Sequence, residues 1–259
     1  MHALRQKNCS QKRNLRVHWV VVKLTTLNLQ GFTDWNHRKP EIVDYLKSTQ
    51  PDIIFFQEVV FLPTISERNQ VQLLNDDLQY TYEHSAVTRL QPSPEYEVFR
   101  EGLAFLSKYP VLKTDTIVLR KAEGDEHNRI VQLMDVQIGH DVVKLANVHF
   151  SLTDTVDYAT AHLQETLDII KAQGEPRIIA GDFNLDHLEE LSDVWSEDYD
   201  ASTRVEYISY PSMGKRNDYV LVPKGLHLKH VSTSGNSLSD HRAVTVEIDL
   251  VPALVTVRN

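Results

Sequence analysis

Apolar residues along the chain follow two different rhythms. Runs such as "WVVVKLTTLNLQG", "DIIFFQE", "GLAFLSK", "NRIVQLMDVQI", "DVVKLANVHF", "RIIAGDF", "NDYVLV", "LHLKHVSTS" and "HRAVTVEIDL" are rich in β-branched and aromatic residues and stop at turn signals, as buried strands do. Other segments are periodic at helical spacing. In "RKPEIVDYLKSTQ" the residues Ile42, Val43, Tyr45 and Leu46 share one helical face, with Pro40 near the first turn, where its missing N–H does no harm. "YATAHLQETLDIIKAQG" is the clearest amphipathic helix and closes at Gly174, and a third helix is predicted over 65–78.

The order of these elements limits the architecture. A strand from Val20 to Leu27, a helix and the strand "DIIFFQE" read as β-α-β, which favours a parallel pair. "QYTYEHS" reads as a strand and "RLQPSPEYEVFRE" as a loop. "GLAFLSK", "TDTIVLR", "NRIVQLMDVQI" and "DVVKLANVHF", separated by short turns such as Tyr109-Pro110 and Gly139, suit antiparallel meanders. About ten strands exceed what one open sheet carries comfortably. Two mixed sheets packed face to face with helices outside, a four-layer α/β/β/α sandwich, is therefore the expected fold.

Composition narrows the class. With 259 residues, 41% hydrophobic and 24% charged, and no internal repeat or Gly/Ser-rich linker, the chain reads as one domain over 20–252. Residues 1–19 are basic, without an acid, and read as a flexible solvated tail. Its apolar run, Trp19 to Val22, is shorter than the ~7 residues of a signal-peptide core, and no run approaches the ~18 of a membrane span. The single cysteine, Cys9, rules out an intramolecular disulfide and a cysteine-rich zinc cage. A cytoplasmic monomer is the expectation. The net charge of −9 argues against a generally basic nucleic-acid binder, although cations in a cleft can offset it locally.

Candidate chemistry lies at the strand ends. "RIIAGDFNLD" finishes with Asp182 and Asn184 on either side of Phe183, and strand alternation would point both polar side chains to one face. Asn28, Glu58, His149, Asp218, Asp240 and His241 likewise stand where apolar strands stop. Singly, each has an ordinary reading as turn residue, cap, strand end or satisfied core histidine. Together they supply hard oxygen ligands and two histidines able to move protons. Mg²⁺ or Mn²⁺ needs only one or two carboxylates beside waters and substrate phosphates, so Glu58 and Asn28 would suffice as anchors. The 12 histidines include no HExxH pair for zinc.

In this order, "TLNLQG", "IIFFQEV", "EGLAFLSKYPV", "NVHF", "IIAGDFN", "RNDYVLV" and "LSDHRAV" resemble the motifs of the endonuclease/exonuclease/phosphatase superfamily, the DNase I-like fold, over residues 23 to 250. The resemblance implies the same sandwich, with Glu58 as main metal ligand and Asn28 beside it. It implies that Asp182 orients or deprotonates the attacking water, with Asn184 holding that water or a phosphate oxygen. His241, oriented by Asp218, would bond the phosphoryl group or act as base, and Asp240 would complete the metal or water network. His149 would stabilise the phosphorane or assist the leaving group. Glu101 matches a carboxylate that can pair with this histidine, and Arg129 a basic position that binds a substrate phosphate or only covers a sheet edge. Gln30 departs from the pattern: many relatives carry an acid there, so one tightly bound ion is expected rather than a permanent two-metal site.

The superfamily cuts several kinds of phosphoester, and fold alone does not choose among them. The expected activity is a divalent-metal-dependent hydrolase, with a nucleic-acid phosphodiester as leading substrate. "TLNLQG" with "FFQEVV" is similar to the tyrosyl-DNA phosphodiesterase branch, and Trp35 and Trp195 offer rings that either stack on a base or simply pack. The alternatives are a small-molecule or lipid phosphodiesterase or phosphatase, acting on inositol phosphates or sphingomyelin, and a catalytically silent scaffold.

Overall fold

The computed structural model describes residues 15–92, 98–152 and 157–256, with backbone alone for 15–19 and 251–256. Two β-α-β units organise it. Strands β1 (Leu15–Asn28) and β2 (Ile53–Phe61) lie parallel and are joined through helix α1 (Trp35–Thr49). The same device recurs with β7 (Asp141–His149) and β8 (Ile178–Asp182), joined through α3 (Tyr158–Gln173). A parallel pair needs a long crossover, which each helix supplies.

Each parallel pair lies inside an otherwise antiparallel six-stranded sheet. The first runs β11 (His227–Thr233), β12 (Val244–Thr256), β1, β2, β4 (Phe99–Ser107), β3 (Tyr82–Gln91). The second runs β5 (Val111–Val118), β6 (Ile130–Ile138), β7, β8, β10 (Asp218–Pro223), β9 (Tyr199–Ala201). Alternation along the strands sorts the apolar residues into separate cores. Leu24, Phe55, Phe105, Leu145, Val220 and Val246 meet between the sheets. Leu27, Ile54 and Phe56 face outward against α1 and α2 (Gln70–Leu78), while Val148 and Ile179 face Leu163 and Ile170 of α3. Three cores separate four layers, the sandwich expected from the sequence.

Several boundaries differ from the sequence reading. Helix α1 begins at Trp35, so Pro40 lies inside it and not in its first turn. Helix α2 begins only at Gln70, where Asn69 and Gln72 form a reciprocal capping box. Strand β1 extends back to Leu15 against β12, and residues 1–14 of the expected tail lie outside the described residues. Of the expected loop "RLQPSPEYEVFRE", residues 93–97 lie outside as well, while its flanks belong to β3 and β4. Strand β9 is too short to show any pattern.

Along the inner faces of the sheets, side chains change character toward the carboxyl ends of the parallel strands. Above the apolar core lies a layer of fully buried neutral polar groups. Gln57 donates through Nε2 to Thr26 Oγ1 at 3.0 Å and to Asn147 Oδ1 at 2.8 Å, joining the two sheets. Asn147 Nδ2 in turn donates to Gln132 Oε1 at 3.1 Å and to the Ala104 carbonyl at 3.1 Å. Buried amides that satisfy one another fix the relative position of the sheets. Among the described residues, no helix is long and apolar enough to cross a membrane.

Candidate active site

One step beyond the amide layer, the inner faces end in ionisable groups. His149 is the last residue of β7, Asp182 the last of β8 and Asp218 the first of β10. Register pairs His149 with Asp182 and Asp182 with Asp218, so three neighbouring strands place them in one row. Asn28, the last residue of β1, meets the row from the other sheet. Its Nδ2 donates to Asp182 Oδ2 at 2.9 Å and to Glu58 Oε1 at 3.2 Å, while its Oδ1 accepts from the Gln30 N–H at 2.9 Å.

Glu58 reaches this place through a backbone irregularity. Plain alternation would put it on the outward face with Ile54 and Phe56. Between Phe56 and Val59, however, β2 carries one more residue than β4, and Glu58 takes up a left-handed φ of 52°. The extra residue turns its side chain into the cleft, as bulges beside active sites do. Burial, and then the neighbouring Glu101 carboxylate, push its pKa up to about 7.

The geometry of Asp182 and Asn184 corrects the alternation argument. Strand β8 stops at Asp182, and Asn184 adopts a left-handed φ of 48°. Its N–H donates to Asp182 Oδ1 at 2.9 Å and its Nδ2 to the Phe150 carbonyl at 2.9 Å. The segment is thus a capped turn and part of the cleft wall at once, because both side chains still line the same cavity.

Two histidines flank Asp182 in different electrostatic settings. His241 Nδ1 lies 2.7 Å from Asp218 Oδ2, and its Nε2 lies 3.8 Å from Asp182 Oδ2. Burial alone would lower its pKa, but the Asp218 and Asp182 carboxylates hold it well above the usual value. His149 Nε2 lies 3.6 Å from Asp182 Oδ2. Burial, followed by the charges of Arg129 and Arg89, keeps it well below, so this imidazole is neutral. Asp182 itself is raised to about 6, first by burial and against the pull of His241.

Glu58, His149, Asp182, Asn184, Asp240, His241 and Arg129 line one cleft of about 620 Å³, with Asn28 and Asp218 bonded directly behind it. The Asp240 N–H donates to Gln30 Oε1 at 3.2 Å, so the amide at that departure from the pattern holds the loop carrying Asp240 and His241. Glu101 does not pair with His149 among the described residues; it binds Arg89 at 2.9 Å. Trp35 and Trp195 are both packed in apolar cores, which removes them as base-stacking platforms. Arg89, His127, Tyr210 and Lys215 also line the cleft, though no sequence pattern marks them, because each comes from an edge strand or a loop.

The donor set fits a hard divalent cation. A carboxylate driven up to about 7 by burial and a second acid, as Glu58 is, is relieved by a bound cation. Asn28 presents its Nδ2 to that carboxylate, and turning the amide over would present Oδ1 in the same volume. Asp182, Asp218 and His241 each bring a ligand atom within 4.8 Å of the others. The short Asp218–His241 bond, however, makes those two an oriented acid–imidazole pair.

A model of the Endonuclease/Exonuclease/phosphatase family matches residues 25–241. Among solved structures, an endonuclease/exonuclease/phosphatase from Beutenbergia cavernae is 17% identical over 89% of this chain and 72% of its own, at TM-score 0.75. TDP2 from D. rerio, complexed with single strand DNA product, is 17% identical over 89% of this chain and 99% of its own, at TM-score 0.67. A mannosyl-6-phosphatase from Bacteroides thetaiotaomicron is 15% identical over 88% of this chain and 99% of its own, at TM-score 0.64. At these identities the structures share the fold. Comparison with curated protein sequences finds no significant match.

Proposed function

Because the chain belongs to the endonuclease/exonuclease/phosphatase family, we propose that it is a divalent-metal-dependent phosphoester hydrolase with a nucleic-acid phosphodiester as its leading substrate. The carrying observation is the meeting at Asp182 of Asn28 and His241, carried by the first sheet and its β11–β12 connection, with His149 and Asp218 of the second. A phosphodiester resists attack because negative charge builds on its phosphoryl oxygens, and hydrolysis needs fixed donors together with a positioned water.

Each role follows from the placement of the group. Asp182 is anchored by two hydrogen bonds, through which it can orient a water and take its proton. Asn184 holds that water or a phosphoryl oxygen from the adjoining turn. His241, fixed by Asp218 through Nδ1, aims Nε2 at the same space and donates to a phosphoryl oxygen. His149, on the far side of Asp182, supports the leaving oxygen. Glu58, with Asn28 and Asp240, would hold Mg²⁺ or Mn²⁺, which supplies charge neutralisation at the phosphoryl group when bound. Glu101 acts at a distance, by holding Arg89.

The choice of nucleic acid rests on charge distribution. Arg89, Arg129 and Lys215 line the cleft, where they can meet substrate phosphates, beside the acids Glu58, Asp157, Asp182, Asp186, Glu190 and Asp240, whose charge a bound divalent cation would offset in part. The solved relatives include one bound to a DNA product and one described as a sugar phosphatase, so a small-molecule phosphate ester is the competing reading. Turnover of bis-p-nitrophenyl phosphate, DNA, RNA, inositol phosphates and sphingomyelin, each with Mg²⁺ and with chelator, tests the assignment. Metal-dependent cleavage of DNA or RNA above the others is expected, and absence of metal-dependent turnover across the panel would overturn it.

A further inference from the structure

Helix α1 buries Trp35, Ile42, Val43 and Leu46 along one stripe, and between Trp35 and Ile42 that stripe carries a charged residue, Arg38. Arg38 is 6% exposed, and its four hydrogen bonds end on backbone carbonyls. Nε donates to Thr33 at 2.7 Å, Nη2 to Gly31 at 3.2 Å, and Nη1 to both Leu29 and Leu238 at 2.9 Å. A guanidinium offers five N–H groups in a rigid fork, which suits carbonyls that converge on one place from different directions. Three of these carbonyls belong to the turn that follows Asn28, where Gln30 and Gly31 take left-handed φ values of 53° and 50°. Such a turn leaves its carbonyls outside any ladder, and buried carbonyls need partners.

The fourth carbonyl lies elsewhere in the chain. Leu238 stands 200 positions after Arg38, in the loop that leads to Asp240 and His241. One nitrogen, Nη1, therefore joins that loop to the residue after Asn28, and the Gln30 side chain reinforces the link at Asp240. Gln70 secures the same turn from another side. Fully buried, it donates through Nε2 to the Gly31 carbonyl at 2.7 Å and accepts through Oε1 from the Val60 N–H at 2.9 Å, two residues beyond Glu58. The segments that bring Asn28, Glu58, Asp240 and His241 to the cleft are thus tied to one turn, while Arg38 itself is not among the cleft-lining residues. We propose that Arg38 is a positioning residue of the cleft, which fixes the loop of Asp240 and His241 against the turn of Asn28 without touching substrate. This rests on the hydrolase reading and adds to it what sets the spacing of the cation-binding and proton-moving groups.

Arg38→Lys keeps the charge and the apolar stem but loses the fork, so one ammonium must serve carbonyls that three nitrogens served. Groups that hold ligands in place from behind typically cost ~10- to 100-fold in metal affinity or activity when changed. With the best substrate of the panel above at saturating Mg²⁺, Arg38→Lys should lower kcat by about tenfold or more and leave KM nearly unchanged, as the loss of a transition-state interaction does. Calorimetric titration with Mg²⁺ in the absence of substrate should show affinity weakened at least ~10-fold. Arg177→Lys is the control. Arg177 is also buried, on the Met134 and Leu145 carbonyls and Asp135, but it precedes β8 at the end away from Asp182. Both variants should melt earlier than the wild type, and only Arg38→Lys should change kcat and Mg²⁺ binding. Arg38→Ala is the second variant: guanidinium added far below denaturing concentrations should restore part of its kcat, and sodium chloride at the same concentration should not.

The outcomes separate the positioning role from the hydrolase reading. If the wild type turns over nothing in the panel yet binds Mg²⁺ with an affinity that Arg38→Lys weakens, the positioning role stands and the hydrolase reading falls. If Arg38→Lys turns over substrate and binds Mg²⁺ as the wild type does, the positioning role is overturned and the hydrolase reading survives. Absence of both turnover and Mg²⁺ binding in the wild type would overturn both. Equal losses in Arg38→Lys and Arg177→Lys would overturn the positioning role as well, since the effect would then be one of stability. So would loss of the folded state in both Arg38 variants, because the arginine would then hold the whole fold and not the site.

Discussion

Asn28 donates through Nδ2 to Asp182 Oδ2 at 2.9 Å, across the gap between the two sheets. Both residues are 1% exposed, so water cannot replace the bond. The same Nδ2 reaches Glu58, and one amide therefore sets the spacing between the expected metal carboxylate and the expected base. Asn28→Ala should lower kcat at saturating Mg²⁺ by ~10- to 100-fold, from the loss of one or two hydrogen bonds to charged groups. Steady-state kinetics would check this, and a loss below about threefold would show that Asp182 holds its place without Asn28.

Glu58→Gln keeps the shape of the side chain and removes its charge. If Glu58 is the main ligand, the Mg²⁺ needed for half-maximal activity should rise at least ~10-fold, and the increase in melting temperature that Mg²⁺ gives the wild type should shrink with it. Calorimetric melts at graded Mg²⁺ report on binding without relying on turnover. An unchanged increase would reassign the ligand to Asp182 or Asp240.

The sequence showed much of this site, and physics explains the part it hid. Asn28, His149, Asp182 and Asp218 were legible because each ends or opens a strongly apolar strand and shares the inner face of its sheet. Glu58 was picked out as the end of an apolar strand and through its motif, yet β2 runs on to Phe61 and plain alternation would have buried Glu58 against helices; the bulge that turns it is a backbone event without a side-chain pattern. The Asp182–Asn184 relation was found for the wrong reason, the left-handed turn at Asn184 doing what alternation was expected to do. Arg89 and His127 were invisible because their relation to Glu101 and Arg129 exists only once β3, β4 and the segment before β6 are folded together. Trp35 and Trp195, which the sequence left open between stacking on a base and packing, are packing residues, the commoner fate of large rings.

Gly181, just before Asp182, is constrained by close approach. A Cβ there would lie 1.9 Å from the Val148 carbonyl oxygen, and its φ of +150° disfavours other residues. Gly181→Ala should force β8 away from β7, destabilise the fold by at least ~1–3 kcal/mol as overpacking does, and cost activity in the survivors by moving Asp182. Urea unfolding with parallel kinetics would measure both losses, and an Ala variant as stable and active as wild type would refute the close packing of β7 on β8.

His127 gives a pH signature apart from the metal ligands. Burial, followed by repulsion from Arg89 and Arg129, lowers its pKa to about 4 from 6.5. Between these values the unfolded chain binds a proton that the folded chain refuses, so stability is fully present above 6.5 and is lost as pH falls toward 4. His127→Gln should flatten this part of the stability–pH curve. Chemical denaturation at graded pH would check it, alongside an NMR titration of the imidazole, and a His127 resonance titrating near 6.5 would remove the premise.

The last prediction concerns the His241–Asp218 pair. The Nδ1–Oδ2 distance of 2.7 Å, with Asp218 fully buried, makes the carboxylate a partner that orients the ring and sustains its charge. If that is its whole contribution, Asp218→Asn should leave substrate binding nearly intact and lower turnover. His241→Ala should cost at least as much, because it also deletes the donor aimed at the phosphoryl oxygen, and acid–base groups typically contribute ~10²- to 10⁴-fold. The double variant should then be little worse than His241→Ala alone, since residues that act as one unit are not additive. Asp218→Asn also leaves a buried amide in place of a carboxylate, so folding must be followed by melting temperature to keep a stability loss from passing as a kinetic one. A His241→Ala loss below roughly tenfold at saturating Mg²⁺ would remove His241 from the chemistry. Fully multiplicative losses would mean that Asp218 serves turnover through another route, for which the Asp182 carboxylate beside it in the row is the nearest candidate.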